Sequence, residues 1–128
     1  MASPLCQILG VGARGPLGLN ALQIAMCGRA GKIEPRRTRF TDKHGNSIGA
    51  VRARFLPDDL HGYDRLLALA VPALIEAAKA LVNSAYAPPY PLFLALSEPG
   101  RPDDDSRFGP EILADLARRS GIPIDLER

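Results

Sequence analysis

Apolar positions along this chain fall into two periods, and the alternation between them outlines the fold. Leu5 to Val11 is apolar except for Gln7 and Gly10, which predicts a short buried strand. Gly10, Gly12, Gly15 and Gly18 then crowd a turn with Pro16, and a tight strand-to-helix crossing follows from their freedom of backbone approach. Leu19 to Gly28 reads as a helix with Leu22, Ala25 and Met26 at helical spacing, stopped by Gly28 and Gly31. Gly31 to Arg39 is a basic connection containing proline. Phe40 and Thr41 enter a hairpin whose turn is Asp42 to Asn46. Ile48 to Leu56 returns as a half-buried strand, with Gly49, Val51, Ala53 and Phe55 on one face and Arg52 and Arg54 on the other.

Tyr63 to Val82 is the longest helical pattern, its stripe built by Leu67, Val71, Leu74, Ala78 and Leu81 or Val82. Pro72 inside it predicts a kink or a split, because proline removes a backbone hydrogen bond. Tyr86 to Pro91 is a proline-rich connector, and Leu92 to Ser97 is a continuous apolar run suited to a central parallel strand. Gly100 to Phe108 is a polar loop. Pro110 opens a last helix with Ile112, Leu113, Leu116 and Ala117 on its buried stripe, and Gly121 closes it. Strand, helix, hairpin, helix, strand, helix is the signature of a layered α/β fold with a mixed sheet and packed helices. A crossover helix ordinarily feeds another strand, and none follows the last helix, so the chain is expected to be the leading part of a larger unit.

Composition narrows the function classes. The 128 residues suffice for one domain, and 46% of them are apolar. Aromatics make up only 5%, with no Trp, so the core is aliphatic and platforms for stacking nucleic-acid bases are scarce. The net charge of +2 is modest, and Arg36, Arg37 and Arg39 form the one local basic run, read as a solvated loop; a nucleic-acid partner is not expected. Leu66 to Ile75 is too short to span a bilayer and no signal sequence opens the chain, so no membrane partner and a cytoplasmic location are expected. Cys6 in the first strand and Cys27 near the end of the first helix read as small core hydrophobes in a reducing compartment.

Candidate chemistry is sparse. Gly10-Val11-Gly12-Ala13-Arg14-Gly15 matches the dinucleotide pattern G-x-G-x-x-G after a predicted strand, which would make Glu34 the ribose acid or Arg36 and Arg37 a phosphate clamp. Pro16 directly after the third glycine, Pro35 beside Glu34 and the hairpin that follows all argue instead for a packing turn. Cys27 sits at the helix end where the dipole disfavours a thiolate. His44 is placed in a solvated turn and His61 beside the long helix, neither with metal-ligand spacing to a second donor. Asp103, Asp104 and Asp105 lack the alternating ligands of a calcium loop. Asp64 and Arg65 read as a structural pair that orients the long helix. The sequence thus nominates no catalytic, cofactor-binding or metal-binding residue, and no cofactor.

One resemblance joins the scattered motifs. Ile8 to Gly18, with Gly15-Pro16-Leu17-Gly18, resembles the opening of β-ketoacyl synthases (3-oxoacyl-acyl-carrier-protein synthases) of the thiolase-like superfamily, where a strand runs into G-x-G-x-x-[ST]-P-L-G. Gly15 stands where that family has a small hydroxyl residue. Cys27 to Ile33 is similar to the family's A-G-x-S-G-I stretch without its serine. Phe55 and Pro57 match its F-x-P approach, and Asp64-Arg65 before Leu66 to Leu81 matches its D-R segment and alanine-rich helix. The resemblance covers residues 5 to 97. It implies that residues 1–128 are the N-terminal part of a condensing acyltransferase of fatty acid or polyketide biosynthesis. The nucleophilic cysteine and assisting histidines of that family lie beyond the matched region. The implied partners are a second copy or the remainder of the same synthase, with acyl carrier protein reached through the full-length protein. Two alternatives stay open: a non-catalytic dimerisation or scaffold domain, and a small dinucleotide-binding domain.

Overall fold

A computed structural model describes residues 6–31, 33–81, 84–96, 98, 100 and 106–126. They form a small mixed α/β domain. Its elements in chain order are helix α1 (Ala21–Arg29), strands β1 (Arg36–Thr41) and β2 (Ser47–Ala50), helix α2 (Gly62–Ala78), a 3-10 turn at Ser106–Phe108, and helix α3 (Pro110–Ser120).

The core lies where α2 meets α3. Tyr63 and Leu67 on α2, Ile112 and Leu116 on α3, and Ile124 beyond it are buried together, with Leu66, Ala70, Val71, Leu74 and Leu92 packed around them. Each fully buried aliphatic side chain here contributes about 1.5–3 kcal/mol relative to exposure. The stripe predicted for the long helix is therefore the one that packs, at Leu67, Val71 and Leu74. The ring of Phe108 meets Tyr63 edge-on, with centroids 5.4 Å apart. The Tyr63 hydroxyl donates to the Asp115 carboxylate at 3.0 Å, so the polar end of this core side chain is satisfied.

The ends of α3 follow their sequence signals, whereas α1 runs through Gly28 to Arg29 and α2 stops at Ala78, short of the predicted Val82. Pro110 opens α3, and Gly121 closes it at φ 70°, a left-handed conformation that glycine adopts without strain. Asn20 caps α1: its side chain accepts from Gln23 N at 2.9 Å while Gln23 Oε1 accepts from Leu19 N at 2.7 Å. That reciprocal cap starts the helix at Ala21, two residues later than the apolar pattern predicts. α2 begins at Gly62 and runs through Pro72 as a single helix, so the predicted split does not occur.

The hairpin is set by its turn. Asp42 accepts from His44 N at 2.8 Å and from Asn46 N at 2.9 Å, and Gly45 takes φ 82°. The Asn46 amide bond, with the smaller contributions of the Asn46 side chain and His44, holds the Asp42 carboxyl below its ordinary pKa. β1 pairs antiparallel with β2, Arg36 opposite Ala50 and Thr41 opposite Ser47, with an irregularity between Arg37 and Thr41. Across it, Thr38 Oγ1 donates to Ile48 O at 2.7 Å and Ser47 Oγ donates to Thr38 O at 3.0 Å. Side-chain bonds thus replace the ladder bonds that the irregularity removes.

Four expectations change. The basic run Arg36, Arg37 and Arg39 is not a loop; it is strand β1, paired through its backbone to β2. The predicted strand Ile48 to Leu56 keeps regular pairing only as far as Ala50, because the chain turns at Ala53, whose carbonyl accepts from Leu56 N at 3.2 Å. Residues 6–11 and 92–96, the described parts of the two predicted core strands, carry no ladder; Leu5 and Ser97 lie outside the described residues. A strand persists only with a partner for its amides and carbonyls, and each of these segments lies against helix or core instead. Finally, Leu22 and Met26 are exposed, so the face expected to bury α1 points outward.

Candidate functional site

The glycine-rich turn is built around a carboxylate from α2. Glu76 accepts from Ala13 N at 3.1 Å and from Ala21 N at 3.1 Å through both oxygens. Ala21 is the first residue of α1, so the negative charge sits at the positive end of the helix dipole. The arrangement is that of an anion cradle at a helix N-terminus, with the anion supplied by the chain itself.

The glycines serve the same packing. A Cβ on Gly10 would meet Ala77 O at 2.6 Å, and one on Gly12 would overlap Ala73 O and lie 2.7 Å from Ala77 N. The turn therefore lies on the backbone of α2 at a distance no side chain permits. A Cβ on Gly18 would likewise meet α1, 2.5 Å from Gln23 Cβ. Gly15 is different: a Cβ there would make ordinary contact with Ile24 Cδ1 at 3.9 Å. The Gly15-Pro16-Leu17-Gly18 turn is closed by Gly15 N to Gly18 O at 3.0 Å and Gly18 N to Gly15 O at 3.1 Å. Beside it, the Arg14 guanidinium stacks on Phe55 at 4.7 Å, and its Nε is buried without a hydrogen-bond partner.

A second feature adjoins this turn. A cleft of about 670 Å³ lies between Pro16 and Leu17 on one side and the hairpin and its exit on the other, and it gathers Arg36, Arg37, Arg52 and Arg54. Glu34 and Asp58 also line it, and Asp58 pairs with Arg52 at 3.3 Å. Three residues named for the dinucleotide reading, Glu34, Arg36 and Arg37, are thus brought together in one cleft. Two of the amides that a pyrophosphate would use are already bonded to Glu76.

The other candidates are scattered. Cys6 is exposed and Cys27 half-buried, so Cys6 is not the core hydrophobe expected of a strand residue, because segment 6–11 never enters a sheet. His44 is exposed in the hairpin turn, and His61 precedes α2 without a side-chain capping bond. Asp64 and Arg65 do not pair with each other: Asp64 lies 3.8 Å from both Arg107 and Arg119, and Arg65 donates to Leu60 O at 3.3 Å. Adjacent helical residues diverge by a large angle, which sends the two side chains to different neighbours. Asp103, Asp104 and Asp105 lie outside the described residues. No group of three or more metal-ligating side chains occurs among the described residues. No helix among them is long and apolar enough to cross a membrane.

Glu76 is the residue that sequence reasoning missed. Its signal was present: a single acid in the otherwise apolar stretch from Leu66 to Ala78. A carboxylate on a helix that packs on several sides needs donors, and a nearby helix start with free amides supplies them. No protein-family model, no curated protein and no solved structure matches this chain.

Proposed function

We propose that this chain is the N-terminal part of a β-ketoacyl-synthase-like acyltransferase, a structural portion that carries no catalytic residues of its own. The observation that carries the reading is the ordered set of short motifs from Gly10 to Gly18 through Asp64-Arg65 to Leu81. The use of the glycine-rich turn agrees with it, since Gly10 and Gly12 are spent on seating the turn against α2. So do the two thiols. Neither Cys6 nor Cys27 stands at a helix N-terminus beside paired amide donors, which a thiolate nucleophile of acyl transfer requires. Segments 6–11 and 92–96 leave Ile8, Val11 and Phe93 exposed, which suits assembly with a second copy or with the remainder of a synthase. Two unbridged cysteines suit the cytoplasm. The thiolase-like layered sheet belongs to this proposal: segments 6–11 and 92–96 carry no ladder here and would pair as strands only in the larger assembly.

Incubating the chain with acyl and malonyl thioesters tests the reading. The expected result is no condensation product and no acyl adduct on either cysteine by mass spectrometry. Turnover that disappears in Cys6→Ser or Cys27→Ser would overturn it.

A further inference from the structure

The cleft beside the Gly15–Gly18 turn is lined by four arginines and two acidic residues, a surplus of two formal positive charges bordering a volume of about 670 Å³. β1 contributes Arg36 and Arg37, and the chain leaving β2 contributes Arg52 and Arg54. The pairing of Arg36 with Ala50 and of Arg37 with Gly49 fixes the two stretches side by side, so the cluster is a property of the hairpin register. Among the described residues, only Arg52 of the four is paired with a carboxylate, and its partner Asp58 is almost fully exposed. Like charges gathered in a concave surface repel one another and raise the local potential, which an entering anion relieves. Guanidinium forks match phosphate oxygens in paired hydrogen bonds. The volume is that of a small-molecule site. Pro16, Leu17 and Val51 add apolar lining for an organic portion.

We propose that this cleft binds a compact phosphate-bearing molecule carrying two or more negative charges. The site lies outside the Glu76 cradle and does not depend on the synthase-like reading.

The test is titration of the isotope-labelled full chain, followed by amide chemical shifts, with inorganic pyrophosphate, orthophosphate, phenyl phosphate and sodium chloride at matched ionic strength. Pyrophosphate is expected to give saturable shifts at the non-proline residues of 34–37 and 50–58. Arg37→Gln with Arg54→Gln is expected to weaken binding at least about tenfold, as loss of charge-assisted bonds does. Arg39→Gln, which removes an arginine of β1 outside the cleft, is expected to leave binding unchanged. Phenyl phosphate binding tighter than orthophosphate assigns the site to an organic phosphoester; the reverse order assigns it to the free anion. Shifts that follow ionic strength alone, or that weaken equally in the Arg39 variant, would overturn the proposal.

Discussion

Glu76 carries more of this structure than its place in an alanine-rich helix suggests. Its two oxygens take amide bonds from Ala13 and Ala21, and so join α2, the glycine-rich turn and the start of α1 through one side chain. Removing it leaves part-buried donors without an acceptor, at a cost of roughly 1–3 kcal/mol. Glu76→Ala is therefore expected to lower stability by about that amount in urea denaturation. Glu76→Gln should fall between, because an amide oxygen still accepts but brings no charge to the dipole. The same residue shows why the turn reads two ways: G-x-G-x-x-G reports that backbones come close, and a ligand and a helix demand the same glycines. Pro16 and Pro35 were the legible hints that the partner is protein. The identity of that partner was not legible, since Glu76 lies 55 residues from the Ala21 amide it binds.

Among the elements, α3 was read almost completely and the hairpin in part. α3 carries its own signals in Pro110, Gly121 and a clean apolar stripe, so local sequence suffices. β1 was hidden because half of its residues are arginines and its burial pattern is weak, and only pairing with β2 makes it a strand. The α2–α3 contact also makes a pH prediction. Burial and then the bond to Asp115 push the Tyr63 hydroxyl up to about 12 from 10.0. Because the folded state holds this proton more tightly than the unfolded chain, its contribution is complete below pH 10 and is lost as pH rises toward 12. An ultraviolet titration is expected to show one of the three tyrosines ionising late, and Tyr63→Phe should remove that step. A late step that survives the substitution would contradict this account of the contact. The Arg118 bond, followed by that from Tyr63, holds the Asp115 carboxyl below its ordinary range, and throughout this alkaline window the acceptor is ionised as any carboxylate is.

At the scale of the whole molecule, the core is small and sits to one side, between α2, α3 and Ile124. Tyr90 N donates to Pro123 O at 2.8 Å and Asp125 N to Tyr90 O at 2.9 Å, which ties the end of the described chain back to the connector before residue 92. The two strand-like segments were legible as apolar runs, but pairing is a non-local property, and a period of two says nothing about which neighbour is available. The arginine cleft was invisible for the same reason, since it exists only once the hairpin brings residues 36–37 beside 50–54.

The central claim is that the glycine-rich turn is an architectural seat on α2, and the urea stability of Gly12→Ala tests it most directly. A Cβ there overlaps the Ala73 carbonyl oxygen, a backbone atom that cannot rotate away. The variant should lose at least about 2 kcal/mol, the cost of overpacking a close backbone contact. Gly28→Ala in α1, with nothing within 4 Å of its Cβ, serves as the control and should gain roughly 0.5–1 kcal/mol from helix propensity. A Gly12→Ala chain as stable as the parent would contradict the account, because the glycine would then not be held against α2.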